Sequence, residues 1–470
     1  MAKSFRPDNL KQDLLLPPSL RDWLPEKHLA HFLVDVVESL DLGTIYRSYE
    51  EQDGRGQAAY APPLMLRLLL YGYCTGTYSS RKIESKTYED VAFRYLGADE
   101  HPDHDTIAEF RKRHLEALAG LFVQVLQLCQ KAGLVKLGHV AIDGSKIQAN
   151  ASKHKAMSYE RLGETEKKLR EEVKALLEQA AAVDAAEDQK YGKGQKEEDL
   201  PAELARRESR LEKIGAAKAA LEVEAKEKAE AEKAAAEAKL AQRAEQEAQS
   251  GKKVRGRKPQ VPDPATAQPD PKAQRNFTDP ESRIMPDGSH KGSFVQGYNT
   301  QIAVDGQAQI IVAAEVTQDS NDTQQLAPML GQVEENTGSK PQAASADAGY
   351  WNSQQMADPR LQGVDLYIAT GKQKHGDDAG AGMEEQAAKN HGSLSLREVM
   401  KQKLMREAGR EVYRQRKAIV EPVFGQIKEW RGFRRFLLRG LQKVRAEWEL
   451  ICLSHNVLKL FRAGGAVQMA

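Results

Sequence analysis

Over residues 1 to about 135, apolar positions recur every three or four residues, the spacing of helices with one buried stripe. LRDWLPEKHLAHFLVDVVESL shows it first. YAPPLMLRLLLYGYCTG follows, opening on paired prolines. Proline suits the first helical turn because its missing N–H would have no intrahelical partner there. SSRKIESKTYEDVAFRYL and DHDTIAEFRKRHLEALAGLFVQVLQLCQKAG predict two further amphipathic helices, the second capped by Asp105 or Thr106. Short helices interspersed with Arg and Lys fit a plain helical bundle, and they also fit a DNA reader of the helix-turn-helix type.

The period changes at Val140. HVAIDGSKIQAN predicts a strand, a turn and a second short extended piece. From Tyr159 to Val183 the residues Leu162, Leu169, Val173, Leu176, Ala180 and Val183 return at heptad-like spacing. YGKGQ interrupts them, and Leu204, Leu211, Ile214 and Leu221 resume the stripe before it fades into Ala/Glu/Lys repeats near Ser250. Two such segments around a glycine-containing break predict an antiparallel coiled-coil hairpin. A Pro- and Lys/Arg-rich stretch over 251–275 predicts an extended linker. Beyond it, GYNTQIAVDGQAQIIVAAEVTQ predicts a hairpin turning at Asp305-Gly306. NDTQQLAPMLGQVEENTG predicts a helix with Asn321 or Asp322 near its start. SADAGYW and VDLYIAT predict buried strands, GKQKHGDDAGAGMEEQAAKNHGS a polar loop, and LSLREVM to NVLKLF further helices. The expected class is α+β or α/β. The expected domains are a helical 1–135, a mixed-sheet domain formed by 136–154 and 276–470, a helical hairpin inserted at 155–250, and the linker 251–275.

Composition adds one asymmetry. The 470 residues carry 29% charged and 40% hydrophobic side chains with a net charge of +1, which argues for no partner by itself. From Lys401 to Ala470, however, 16 Lys and Arg face 6 Asp and Glu, a local field that attracts polyanions. Cys74, Cys129 and Cys452 are odd in number and widely spaced, which supports neither a disulfide framework nor a zinc site. No run has the length of a signal-peptide core or the roughly 20 apolar residues of a membrane span. A cytoplasmic, reducing setting is expected.

Asp143 in HVAIDGSKI and Asp347 in ASADAGYW each close a short apolar run, and Glu421 stands on a helical run, YRQRKAIVEPVFGQIK. Two strand-borne carboxylates and a helical one suit a pair of divalent metal ions acting on phosphates. Such ions prefer oxygen ligands. Each residue also has a plain reading: Asp143-Gly144 and Asp347-Ala348-Gly349 as turns, Glu421 as a solvated helix position. At helical spacing Tyr413, Lys417, Glu421 and Lys428 share a face. WRGFRRFLLRG then mixes Arg431, Arg434, Arg435 and Arg439 with Phe433 and Phe436. The arginines are candidates for bidentate phosphate contact, and the two phenylalanines are assigned to the core.

AIDGSKI, GYNTQIAVD, ADAGYW and RKAIVEPVFGQIK with GFRRFLLRG resemble the motifs of bacterial insertion-sequence DDE transposases. YAPPLMLRLLLYGYCTGTYSSRKIE and HDTIAEFRKRH resemble the InsH-type amino-terminal domain of that group. The resemblance implies a ribonuclease H-like catalytic domain and an end-binding amino-terminal domain. It implies Mg²⁺, with Mn²⁺ as the alternative, held by Asp143, Asp347 and Glu421. The partners would be double-stranded DNA, as terminal inverted repeats and target, and a second copy of the chain in the DNA complex. The family pattern around the final Glu is filled by Tyr413, Glu421 and Lys428, with Arg416 and Lys417 both candidates for the basic position. These four residues besides Glu421, with Arg431, Arg434, Arg435 and Arg439, form the expected DNA-contacting set. A helical insertion after the first Asp strand departs from the group, which more often carries a β-rich one before the final Glu. Two other readings stand beside the enzyme: a DNA-binding descendant that no longer cuts, and a coiled-coil scaffold with incidental carboxylates.

Overall fold

The computed structural model describes residues 19–50, 58–191, 199–250, 258–287, 292–371 and 394–464, with side chains 179–204 and 250 outside the description. The amino-terminal part is helical: α1 (Leu29–Ser39), α2 (Gly43–Glu50), α3 (Pro62–Thr75), α4 (Ser80–Glu89), α5 (Val91–Leu96), α6 (His104–Arg113) and α7 (Leu115–Lys131). Side-chain caps set several boundaries differently from the expectation. The first helix starts only at Leu29, where His28 Nδ1 accepts from Ala30 N at 3.2 Å. SSRKIESKTYEDVAFRYL is two helices because Asp90 Oδ1 accepts from Ala92 N and Phe93 N, starting α5. The cap of α6 is Asp103, not Asp105 or Thr106; its Oδ1 accepts from Thr106 N at 2.7 Å. α3 buries Leu64, Met65, Leu66, Leu68, Leu69 and Leu70, so nearly all its faces are apolar, Arg67 excepted, and it forms the centre of this part.

The remainder runs β1 (His139–Gln148), β2 (Ala156–Ser158), α8 (Tyr159–Tyr191), α9 (Asp199–Ser250), β3 (Gln274–Asn276), β4 (Arg283–Pro286), β5 (Phe294–Asp305), β6 (Ile311–Thr317), α10 (Leu326–Thr337), β7 (Ala343–Ala346), β8 (Asp365–Ile368), α11 (Leu396–Met405), α12 (Glu407–Gly425) and α13 (Leu441–Arg462). β5 pairs antiparallel with β4, β6 and β1; β1 pairs parallel with β7, and β7 parallel with β8. β1 is therefore the inner strand on which the mixed sheet turns. The turn expected inside HVAIDGSKIQAN is absent. β1 continues through Gly144, which pairs with Gln301, so Asp143 lies within the strand and not at its end. The β5–β6 connection also differs: Asp305 N bonds Ile310 O, and Gln309, at φ +59°, takes the left-handed position. The polar stretch expected as a loop lies, apart from Gly371, outside the described residues.

α8 and α9 run antiparallel: Tyr159 donates to Glu222, Lys218 to Glu166 and Arg207 to Glu172. Their root is a small core of Leu162, Leu169, Ile214, Ala217 and Leu221, separate from the main one. Each buried Leu there contributes roughly 1.5–3 kcal/mol, which holds the root of the pair and not its length. β2 and β3 close the base, and Arg275 and Arg283 both reach Glu224.

α13 joins the two parts. It packs on α3, α7 and β6. Trp448 Nε1 donates to Gln301 O, and Asn456 both accepts from and donates to the Ile311 backbone at 2.8 Å. Gly76 ends α3 at φ +78°, and a Cβ at that position would stand only 2.9 Å from Arg431 O, so both conformation and space demand glycine. On α13, burial and the neighbouring Glu315 push Glu449 from 4.5 up to about 7, against Arg445. The folded protein thus resists ionising it, a cost absent below about pH 4.5 and complete above about 7, worth about 3 kcal/mol. Glu449→Gln is expected to raise stability in urea denaturation at pH 8 by up to that amount and to change little at pH 4.5. A gain equal at both pH values would refute the cause.

Candidate active site

Strand register brings the two aspartates together. β1 and β7 are parallel, with Val140 opposite Ala344 and Ala141 opposite Ser345. Two residues on, Asp143 and Asp347 fall beside each other on the same face, on strands about 4.8 Å apart. His139 and Ser345 share that face, joined Nε2 to Oγ at 2.8 Å. Asp347 directly follows β7. Its Oδ1 accepts from Gly349 N at 2.8 Å, which fixes the carboxylate at the strand's end.

α12 lies across this face. Arg416 is buried and its Nη1 donates to Asp143 Oδ2 at 3.3 Å. Its Nε is buried with no hydrogen-bond partner, so the guanidinium has spare donor capacity. Tyr413 is half-buried one turn earlier, with the guanidinium 5.9 Å from its ring centre. Lys417 points to solvent. Of the two basic candidates, Arg416 therefore faces the aspartates.

The helix carries Pro422, which lacks the N–H that Ala418 O would accept. Gln309 Nε2 fills that gap, donating to Ala418 O at 2.8 Å, and Lys459 holds the other end of the same amide. After Gly425 the chain widens into a π-helical turn, Gln426–Trp430, closed by Arg431 N to Gln426 O. The turn sends Lys428 onto β1, where Nζ reaches Ser145 Oγ at 3.0 Å and Lys146 O at 3.2 Å.

Glu421 stands apart from this cluster. It is exposed on α12 and makes no ion pair or side-chain hydrogen bond among the described residues. Its charge is felt at Arg416 after those of Asp143, Tyr413 and Asp347. Among the described residues no three His, Cys, Asp or Glu side chains converge closely enough to enclose a metal ion.

A fourth carboxylate, which the sequence marks only as a helix-start residue, stands nearby. Asp322 Oδ1 accepts from Asn299 at 2.7 Å and Gln301 at 2.6 Å, with Lys146 Nζ at 3.8 Å. A side chain on Gly144 would collide with Gln301 Nε2 and stand 2.9 Å from Asp322 Oδ1, so only glycine leaves room for this network at position 144. The sequence signal for it was the alternation of Asn299 and Gln301 along β5, two amides aimed from one strand face.

The charges explain the titration. Burial pushes Asp143 up to about 6; Arg416 opposes this, while Asp347 and Asp322 add to it. Burial acts against the Arg416 charge, yet Asp143, Tyr413 and Asp347 outweigh it and raise its pKa. Burial lowers Lys146 despite Asp322 and Asp143, and lowers Lys428 despite Asp287 and Glu429. Two cations, Arg416 and Lys146, thus stand among three aspartates. The oxygens of Asp143 and Asp347, side by side on neighbouring strands, suit a hard divalent cation, which the two could share.

The other basic candidates divide. Arg431 is buried, donating to Ser454 Oγ at 2.6 Å and to Ile451 O, so it serves the core beneath Cys74 and Cys452. Phe433 and Phe436 are buried, as assigned. Arg434 is exposed and paired with Glu429. Arg435 and Arg439 are exposed and tethered to Gln148 Oε1 and Asn150 O.

Two family models match the chain: a transposase DDE domain over residues 244–457 and a transposase domain (DUF772) over residues 18–113. Together they span well over half of its length. No curated protein and no solved structure matches. The first match begins within α9, well beyond β1, so the strand carrying Asp143 joins the matched part only through the fold. No helix among the described residues is long and apolar enough to cross a membrane. With a transposase domain at each end, the chain belongs to the insertion-sequence DDE transposases, enzymes that move DNA by cleavage and strand transfer and use divalent metal ions.

Proposed function

We propose that this chain cuts DNA at the ends of its element and joins the freed 3′-OH to target DNA, with Asp143, Asp347 and Glu421 as the catalytic carboxylates. The observation that carries this is the register that sets Asp143 beside Asp347 under the helix bearing Arg416 and Glu421. The strand order β5-β1-β7-β8, with only β5 antiparallel, supports a ribonuclease H-like catalytic domain built from 136–154 and 276–470.

Asp143 and Asp347 would hold Mg²⁺, or Mn²⁺, and Glu421 would close the site by turning inward from its exposed position. When bound, such ions neutralise the scissile phosphate and lower the pKa of the attacking water or hydroxyl. The chain's own residues position the rest. Arg416 opposes the burial that raises Asp143. Asp347 is held by the turn that follows it. Lys428, with its ammonium over β1, binds a phosphate next to the site. Arg434, Arg435, Arg439 and Lys417 are open to DNA; Arg416, Tyr413 and Arg431 act within the protein. The helical 1–135 would bind the element ends, two copies would hold two ends together, and the cytoplasm is the proposed setting.

Incubating the protein with DNA carrying both element ends and Mg²⁺ is expected to give nicks that leave 3′-OH groups, and joined products with target DNA. Chelation with EDTA is expected to stop both. Cleavage that persists in EDTA would overturn the proposal, and DNA binding without any cleavage would return the reading of a descendant that no longer cuts.

A further inference from the structure

Beyond the catalytic cluster, β1 runs into a second feature that the reaction does not account for. An open cleft of about 640 Å³ lies at the strand's carboxyl end, between residues 148–155 and Arg435 and Arg439. Its lining contains four permanent cations, Lys153, Lys155, Arg435 and Arg439, with His154 and no Asp or Glu. The whole chain balances 69 Lys and Arg against 68 Asp and Glu, so a lining of one sign is a concentrated local field.

The cations come from two chain segments held differently. Arg435 and Arg439 are tethered by hydrogen bonds, Arg435 to Gln148 Oε1 at 3.1 Å and Arg439 to Asn150 O at 2.9 Å. Residues 434–436 hold the edge of β1 past β7: Gln148 N donates to Arg434 O and Phe436 N to Gln148 O. Lys153 and Lys155, also in the lining, stand exposed on a tight turn whose His154 N donates to Ser152 Oγ, and Thr278 with Phe294, Val295 and Gln296 at the start of β5 complete it. Four cations from two chain segments, spread along one open trough with no carboxylate among them, suit a linear polyanion better than a compact anion, which fewer would satisfy.

The cleft is also in line with the catalytic site. Gln148 is five residues beyond Asp143 on a continuous strand, about 17 Å at ~3.3 Å per residue. Lys428 lies between them, over Ser145 and Lys146. A DNA strand advances about 3.4 Å per nucleotide along the duplex axis, so the same span covers about five nucleotides.

We infer that this cleft binds the phosphodiester backbone of duplex DNA about five nucleotides from the phosphate that is cut, with Lys153, Lys155, Arg435 and Arg439 as its phosphate contacts. The inference rests on the function proposed above. It assigns to Lys153 and Lys155 a role that the motif residues do not carry, since both lie outside the motifs and on the far side of β1's end. Binding at this cleft fixes where the strand enters the site and reads no base.

The test is the salt dependence of binding to a random-sequence duplex, followed by fluorescence anisotropy. Removing one cation that neutralises a phosphate reduces the slope of log K against log salt by about one. Lys153→Ala/Lys155→Ala is expected to reduce the slope by about two and to weaken binding roughly tenfold or more near 0.1 M salt. Both lysines are exposed, so an unchanged thermal melt is expected and checks the fold. Adding Arg435→Ala and Arg439→Ala is expected to reduce the slope further. A double lysine variant with wild-type slope and affinity overturns the inference. If that variant still cuts element ends in Mg²⁺, the cleft fails while the proposed function stands; if the wild type never cuts, the proposed function fails whatever the slopes show.

Discussion

Asp143→Ala is expected to lower cleavage of element-end DNA at least about a thousandfold while leaving DNA affinity within a few-fold of wild type. Groups that act as one catalytic unit lose most of the rate when any one is removed, which sets the scale. Asp143 sits on the inner strand, next to Asp347 and against Arg416, and touches no cation open to solvent. On the proposed site its removal would therefore take away a cation ligand and leave the exposed lysines and arginines in place. The same loss is expected for Asp347→Ala. Glu421→Ala belongs in the same experiment, because an exposed Glu421 that turned inward only in the DNA complex would still be indispensable there. The pH profile carries a second signature. Asp143 is held up to about 6, so in the free protein it is protonated below that value and ionised above it. A protonated carboxyl is a poor cation ligand, so affinity for Mg²⁺, read by titration calorimetry, is expected to rise with pH through about 6 and to release a proton. An Asp143→Ala protein that cuts DNA would remove Asp143 from the site, and a wild type whose Mg²⁺ affinity is flat from pH 5 to 7 would refute the raised pKa.

Much of this arrangement was legible because it depends on local pattern. The strand that holds Asp143 and the one before Asp347 follow from short apolar runs and β5 and β6 from β-rich ones, while the connection between β5 and β6 is longer than the Asp305-Gly306 pair foretells. The heptad stripes gave α8 and α9, whose antiparallel pairing the Tyr159–Glu222 and Lys218–Glu166 contacts display. What escaped depends on tertiary placement. Asp143-Gly144 looks like a turn to any local rule, yet β5 supplies Gln301 opposite Gly144 and the strand runs on. Asp322 looks like a helix cap because nothing in NDTQQL reports the amides of Asn299 and Gln301 waiting for it. Arg431 sits in a basic aromatic run and reads as a surface cation; only the packing of α3 and α13 around it puts it in the core. The choice between Arg416 and Lys417 could not be made from spacing, since they differ by one residue and about 100° of helix rotation, and the sheet decides which of them is inside.

Arg416→Ala is expected to destabilise the metal-free protein by about 3–5 kcal/mol, the scale of leaving a buried charge without its partner. Arg416 is buried and its only ion pair among the described residues is with Asp143. Without it, Asp143 keeps its burial and its two acidic neighbours, Asp347 and Asp322, and loses the opposing charge. Its folded pKa then moves further above the ordinary value. A raised folded pKa means that stability is present at low pH and lost as pH rises through the folded value. The deficit of Arg416→Ala should therefore be small near pH 4 and grow towards pH 8 in urea denaturation with EDTA. A divalent cation bound at the proposed site would supply the missing charge, so Mg²⁺ is expected to raise the melting temperature of Arg416→Ala by more than it raises that of wild type. The salt slope of binding to random-sequence duplex is expected to stay at the wild-type value, because a buried guanidinium committed to Asp143 releases no counterion from DNA. The opposite pattern, full stability with a slope reduced by about one, would mean that Arg416 leaves Asp143 to hold a phosphate in the complex.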